Sequence, residues 1–252
     1  MPEWTAFAGF VGVVLAGLLL LARASTGVVD TPDYPTTLTD RVGPTAPTDA
    51  PTVRRPATPP TLPSAGMLFA NVAVSQGFFA TVLIVGAWYA SIPASAFGLG
   101  GDAVSPASLG VGLGLGVALH AANTVGSRVG ERFGLGDSAT LRRAMAPDSA
   151  LGWAVLFAVV LPLVAGFEEL LFRGVLVGVF AAGFDVSPWL LAALSSVAFA
   201  LGHGAQGRVG VTVTGLLGFV LAAAFVLTGS LVTVVVAHYL VNALEFAVNE
   251  WA

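Results

Sequence analysis

The sequence predicts an all-α fold, a polytopic transmembrane helical bundle of about seven spans. Three observations carry that expectation. Of 252 residues, 56% are hydrophobic and 10% charged, whereas an average globular chain carries roughly 25% charged residues. Mean hydropathy is +0.88, more apolar surface than a soluble fold of this size can hide. Runs of about 20 mostly apolar residues, the length a membrane helix needs, recur at roughly 4–22, 66–90, 107–125, 150–183, 188–203, 211–228 and 231–249. A net charge of −4 gives no basic excess to suggest nucleic acid. The absence of cysteine excludes disulfides, thiolate metal sites and a cysteine nucleophile.

The first run, within residues 1–22, is read as a retained span. Ala22-Arg23-Ala24 resembles a cleavage site, but the segment before it carries Glu3 and no basic residue, and its apolar stretch is long for a signal peptide. Residues 23–65 hold nine prolines and ten threonines and cannot bury a core, so they read as a disordered Pro/Thr-rich linker. On this reading the first span is a tether dispensable for chemistry, and residues 66–252 form the working bundle. Nine of the ten arginines fall on one face if 150–183 is a single span. The positive-inside rule makes that face cytoplasmic, with the N-terminus outside and the C-terminus inside a multi-pass cell-membrane protein. Arg173 is the exception, inside a span.

An ionisable side chain in a span costs about 2.5–3.5 kcal/mol, which makes it a functional hypothesis. Span four carries Glu168, Glu169 and Arg173; His203 ends span five; His238 and Asn242 lie in span seven. Glu169 and Arg173 are an i,i+4 pair in the favourable order. Glu168 points about 100° away and is left unpaired, a carboxyl suited to taking and returning a proton. Glu168 and His203 each lie about 22 Å from the turn joining spans four and five, hence at the same depth. His238 and Asn242 share one helix face, and Phe199, one turn before His203, can buttress its ring. His120 and Glu245 read as structural or solvated groups.

The motifs Glu168-Glu169-Leu-Leu-Phe-Arg173, Phe199-Ala-Leu-Gly-His203 and His238-Tyr-Leu-Val-Asn242 resemble those of the CAAX-protease and bacteriocin-processing intramembrane endopeptidases, also called the abortive-infection family. Order, spacing and apolar setting all match, over about residues 150–248. The resemblance implies hydrolysis of a peptide bond in a membrane-associated protein or peptide; in eukaryotic relatives the substrate is prenylated. It implies Glu168 as activator of water, His203 as assistant in proton transfer, and His238 with Asn242 as oxyanion ligands. Glu169, Arg173 and Phe199 are then supporting residues. Two histidines and a carboxylate, His203, His238 and Glu168, also form an ordinary zinc set; a metal-free glutamate mechanism uses the same residues, and both readings stay open.

Other chemistries fit less well. There is no His-Glu-x-x-His motif and no Gly-x-Ser-x-Gly elbow. The Gly134-Leu-Gly-Asp137 tetrapeptide, which spells an aspartyl-protease motif, sits in an arginine-rich loop rather than a span. A proton-coupled transporter or a non-catalytic membrane scaffold could use the same Glu/His/Asn cluster; a transporter more often shows paired repeats with broken helices, and none is evident.

Overall fold

The structure, a computed structural model, describes residues 1–29, 64–132 and 139–251. The central part of the expected linker, with Arg41, Arg54 and Arg55, lies outside these residues, as does the Gly134–Asp137 tetrapeptide. The described residues form helices joined by turns: α1 (Trp4–Val29), α2 (Ala65–Tyr89), α3 (Pro106–Arg132), the short α4 (Ala139–Met145), the continuous α5 (Ala150–Phe184), α6 (Pro188–Gly202), α7 (Gly207–Thr228) and α8 (Leu231–Asn249). Six are long and apolar enough to cross a membrane. The seventh apolar helix, α6, has 15 residues, about 22 Å of rise against a hydrocarbon core of about 30 Å. Its end brings the His203–Gln206 turn to the level of the candidate site.

Helix starts follow local chemistry. Ser64, Ser149 and Ser230 accept backbone N–H bonds from Met67, Gly152 and Thr233, satisfying donors that a helix start leaves open. Asp185 ends α5 in the left-handed region at φ 53°, and Pro188 opens α6, where its missing N–H costs nothing.

Lipid is as apolar as leucine, so close backbone approach rather than hydrophobicity must hold these helices together. α3 meets α8 through Gly112 and Gly116. A Cβ at Gly112 would stand 2.7 Å from the Thr233 carbonyl oxygen, and one at Gly116 2.9 Å from that of Ala237. Thr233 Oγ1 donates to the Ser108 carbonyl at 3.1 Å across the same seam.

α5 is not a uniform α-helix. Residues 156–160 and 170–179 are π-helical, one residue wider per turn. The first widening precedes Pro162, which has no N–H to donate and whose ring would crowd the Ala158 carbonyl in a regular helix. In the second, the Phe172 carbonyl accepts Ser195 Oγ–H of α6 at 2.5 Å, a side-chain bond that ties the widened turn to its neighbour.

α1 differs from the expected separate tether. Phe7, Val11 and Val14 are buried in one core with Phe97 and with Phe167, Leu171, Phe172 and Val175 of α5. Phe7 meets Phe97 edge-on at 6.4 Å, Leu19 Cδ2 lies 3.9 Å from where a Cβ on Gly202 would stand, and Glu3 N–H donates to the Ala90 carbonyl at 2.9 Å. An apolar helix reads alike whether lipid or protein covers it, and here protein covers one side.

Candidate active site

The site is built on α5, α6 and α8, with α7 behind it. Glu169 is the last residue before the second π-helical stretch, and Arg173 lies one turn into it. Both are fully buried, and Arg173 Nη1 donates to Glu169 Oε1 at 2.7 Å, the pair read from their spacing. The pair does more than self-neutralise. His238 Nδ1–H of α8 donates to the same Glu169 Oε1 at 2.7 Å, so one carboxylate oxygen holds both the arginine and an imidazole. Arg173 Nη2 reaches the Gly218 carbonyl of α7 at 2.8 Å, and its guanidinium lies 4.7 Å over the Phe199 ring, a cation–π contact.

Phe199 lies against both histidines as well, its ring centroid 4.5 Å from that of His203 and 6.1 Å from that of His238. Phe172 meets it edge-on at 5.0 Å. His203 caps the C-terminal end of α6, and its Nδ1–H donates to the Phe199 carbonyl at 2.9 Å. Each imidazole is thus fixed through Nδ1, a carbonyl holding one and a carboxylate the other. Acceptors on Nδ1 put the proton there, so in the neutral rings both Nε2 atoms present lone pairs.

Those two Nε2 atoms face Glu168. Glu168 Oε1 is 3.9 Å from His203 Nε2, and Glu168 Oε2 is 3.7 Å from His238 Nε2. Neither separation is a hydrogen bond; polar atoms this far apart suit a bridging water. The Glu168 side chain is 12% exposed and that of His203 25%, whereas Glu169 and Arg173 are sealed. Asn242 follows His238 by one turn on the same face of α8 and is half-buried; no hydrogen bond holds its side-chain amide among the described residues. The structure therefore brings Glu168, His203 and His238 together around one point, with Asn242 one turn from His238 on the same face of α8.

The donor set has the chemistry of a zinc site, two imidazole nitrogens with anchored second nitrogens plus a carboxylate. Its spacing is wider than zinc bonds of about 2.0–2.1 Å impose, since tetrahedral ligand atoms then lie about 3.3–3.4 Å apart. Among the described residues no group of three His, Asp or Glu side chains is close enough to hold a metal ion.

Glu245 and His120 lie apart from this centre in a second polar cluster. Asn123 Nδ2 donates to Glu245 Oε1 at 2.6 Å, His120 Nδ1 is 3.3 Å from that oxygen, and Arg142 of α4 spans Glu245 and Glu250. Glu245 is held by these groups rather than solvated. Gly218 escaped sequence reasoning altogether. A backbone carbonyl contributes no residue-type signal, and one glycine among 31 does not stand out.

The fold and the site define a multi-pass membrane protein with a buried carboxylate–imidazole centre inside an apolar helical bundle. Residues 150–244 match the family model described as type II CAAX prenyl endopeptidase, Rce1-like, consistent with the CAAX-protease and bacteriocin-processing family. All three motifs lie inside the matched segment, and α1, α2, α3 and α4 lie outside it. No curated protein and no solved structure matches the chain.

Proposed function

We propose that this protein is an intramembrane endopeptidase in which Glu168 activates water against a peptide bond of a membrane-associated substrate, prenylated CAAX proteins being the class the family description suggests. The observation that carries the reading is the facing of both Glu168 oxygens toward two imidazole Nε2 atoms whose rings are fixed through Nδ1.

Glu168 takes a proton from a water beside it, and the water oxygen bonds to the scissile carbonyl carbon. The carbonyl π pair moves onto oxygen, giving a tetrahedral oxyanion. Asn242 supplies an N–H to that oxygen in any charge state. With its Nδ1–H on Glu169, His238 has an Nε2–H to give only as imidazolium. His203 Nε2, an acceptor in the neutral ring, carries the proton on toward the leaving amine as the C–N bond breaks. Fixed donors in a water-poor cavity stabilise such an oxyanion without reorganising.

The arginines of the 126–148 connection and Arg208 support a cytoplasmic placement for the end of the bundle where α6 turns into α7. A substrate C-terminus would then reach Glu168 from the cytoplasm. The test is cleavage of an internally quenched, farnesylated peptide with a CAAX end, beside its unprenylated twin, by detergent-purified protein and its Glu168→Gln variant. Cleavage by the wild type that is lost in Glu168→Gln supports the reading. Equal cleavage by the two variants overturns it.

A further inference from the structure

We infer that Gly218 of α7 is a positioning residue for the reaction: its bare backbone fixes Arg173, and through Arg173 and Glu169 it sets the His238 ring. The inference rests on the endopeptidase reading for its kinetic consequence but not for its geometry. Gly218 is buried, and its carbonyl accepts Arg173 Nη2–H at 2.8 Å. Arg173 Nη1 donates to Glu169 Oε1, the same oxygen that receives His238 Nδ1–H, each at 2.7 Å. Two bonds converging on one oxygen couple the arginine and the imidazole directly.

Any side chain at 218 would intrude. A Cβ there would stand 2.9 Å from Phe199 Cδ1 and 3.3 Å from Arg173 Nη2. Phe199 has little room to yield, because Phe172 packs on it edge-on and the guanidinium lies over its face. The arginine, at 3.3 Å from that Cβ and stacked on Phe199, then shifts with the ring relative to the Gly218 carbonyl and Glu169. Gly218 φ is not in the left-handed region, so the requirement is one of space and of carbonyl placement rather than backbone conformation. Gly215, one turn earlier, supplies a control. A Cβ there would lie 3.2 Å from Ala200 Cβ, which tightens the same α6–α7 seam without touching the arginine.

The experiment compares Gly218→Ala and Gly215→Ala in the full-length protein, with two readouts. One is the imidazole spectrum of protein labelled with ¹⁵N-histidine; the chain has three histidines, assigned with His120→Gln and His203→Gln. The other is kcat and KM on the farnesylated quenched peptide. Gly218→Ala should move the His238 Nδ1–H resonance and lower kcat by about 10–100-fold with little change in KM, the size expected when a group orienting an active-site imidazole is lost. Gly215→Ala should do neither. If Gly218→Ala does not purify folded, the same readouts are taken on Gly218→Ala/Phe199→Val against Phe199→Val, since valine removes the nearest clashing atom. An unmoved His238 resonance, or equal effects of the two alanines, overturns the inference. A moved resonance in a protein whose wild type cleaves no peptide upholds Gly218 as the positioner and overturns the endopeptidase reading instead.

Discussion

Arg173→Ala and Glu168→Gln should separate what holds the site from what works in it. Arg173 is fully buried and makes the ion pair to Glu169, the bond to the Gly218 carbonyl and the contact with the Phe199 ring. Its truncation leaves Glu169 sealed from water with only His238 Nδ1–H on one oxygen and no partner on Oε2 among the described residues. Breaking one member of a buried pair costs about 3–5 kcal/mol, a large share of a native stability of about 5–15 kcal/mol. Glu168 makes no hydrogen bond to a described residue, and glutamine has its shape, so that exchange should cost about 1 kcal/mol or less.

The assay is the folded monomer fraction on size exclusion in detergent, with a thermal midpoint for each variant. Arg173→Ala should fall by about 6–20 °C, from about 2–4 °C per kcal/mol in a chain of this size. Glu168→Gln should stay near the wild type while losing turnover. Replacing both partners, Glu169→Leu with Arg173→Met, should restore part of the lost stability, because no charge is then stranded. A midpoint for Arg173→Ala within about 2 °C of the wild type would refute the ledger of contacts just given. An equal loss in Glu168→Gln would refute the division between the two glutamates.

Three further outcomes are expected. Phe7→Ala, which opens a hole beside Phe97, should cost about 3–5 kcal/mol, whereas Val13→Ala on the exposed side of α1 should leave the thermal midpoint in place. Asn242→Ala should lower kcat by about 10²–10³-fold with KM held, the loss typical of one oxyanion donor, read on the quenched peptide. Peptide cleavage should survive treatment with 1,10-phenanthroline and dialysis against EDTA, as the donor spacing around Glu168 suggests; loss of activity that added zinc restores would overturn that expectation.

The equal depth of Glu168 and His203 was legible because it needs only rise per residue and a short turn. The pairing of Glu169 with Arg173 needed only helical order. The shortness of α6 was legible as well, since the apolar run at 188–203 is only one residue longer than the helix, which stops at Gly202. What the sequence withheld depends on neighbours. A π-helical turn forms where tertiary contacts take up the displaced backbone groups, as Ser195 does for the Phe172 carbonyl, and nothing in Leu170–Val179 announces it. Hydropathy likewise cannot tell which apolar faces meet protein, so Phe7 and Val13 read alike although one is buried and the other 73% exposed.

The order of charges along α5 explains why the chain needs two adjacent glutamates. With one arginine and two carboxylates in a dry bundle, something must decide which carboxylate the cation neutralises. Helical spacing gives Arg173 to Glu169, and burial keeps it there, since both side chains are inaccessible. That assignment leaves Glu168 as the uncompensated acid, turned about 100° toward α6 and α8 and partly accessible. Glu169 then acts on the chemistry at one remove, by holding His238 Nδ1–H so that Nε2 faces Glu168. Exchanging the two roles is not possible without rotating α5, which Ser195, Gly218 and the α1 core resist from three sides. The helices outside the matched segment contribute in the same way: α3 clamps α8 through Gly112 and Gly116, and α1 backs α5. In lipid, where apolar side chains gain little by meeting one another, such close-packed seams are what hold the Nε2 atoms of His203 and His238 toward one carboxylate.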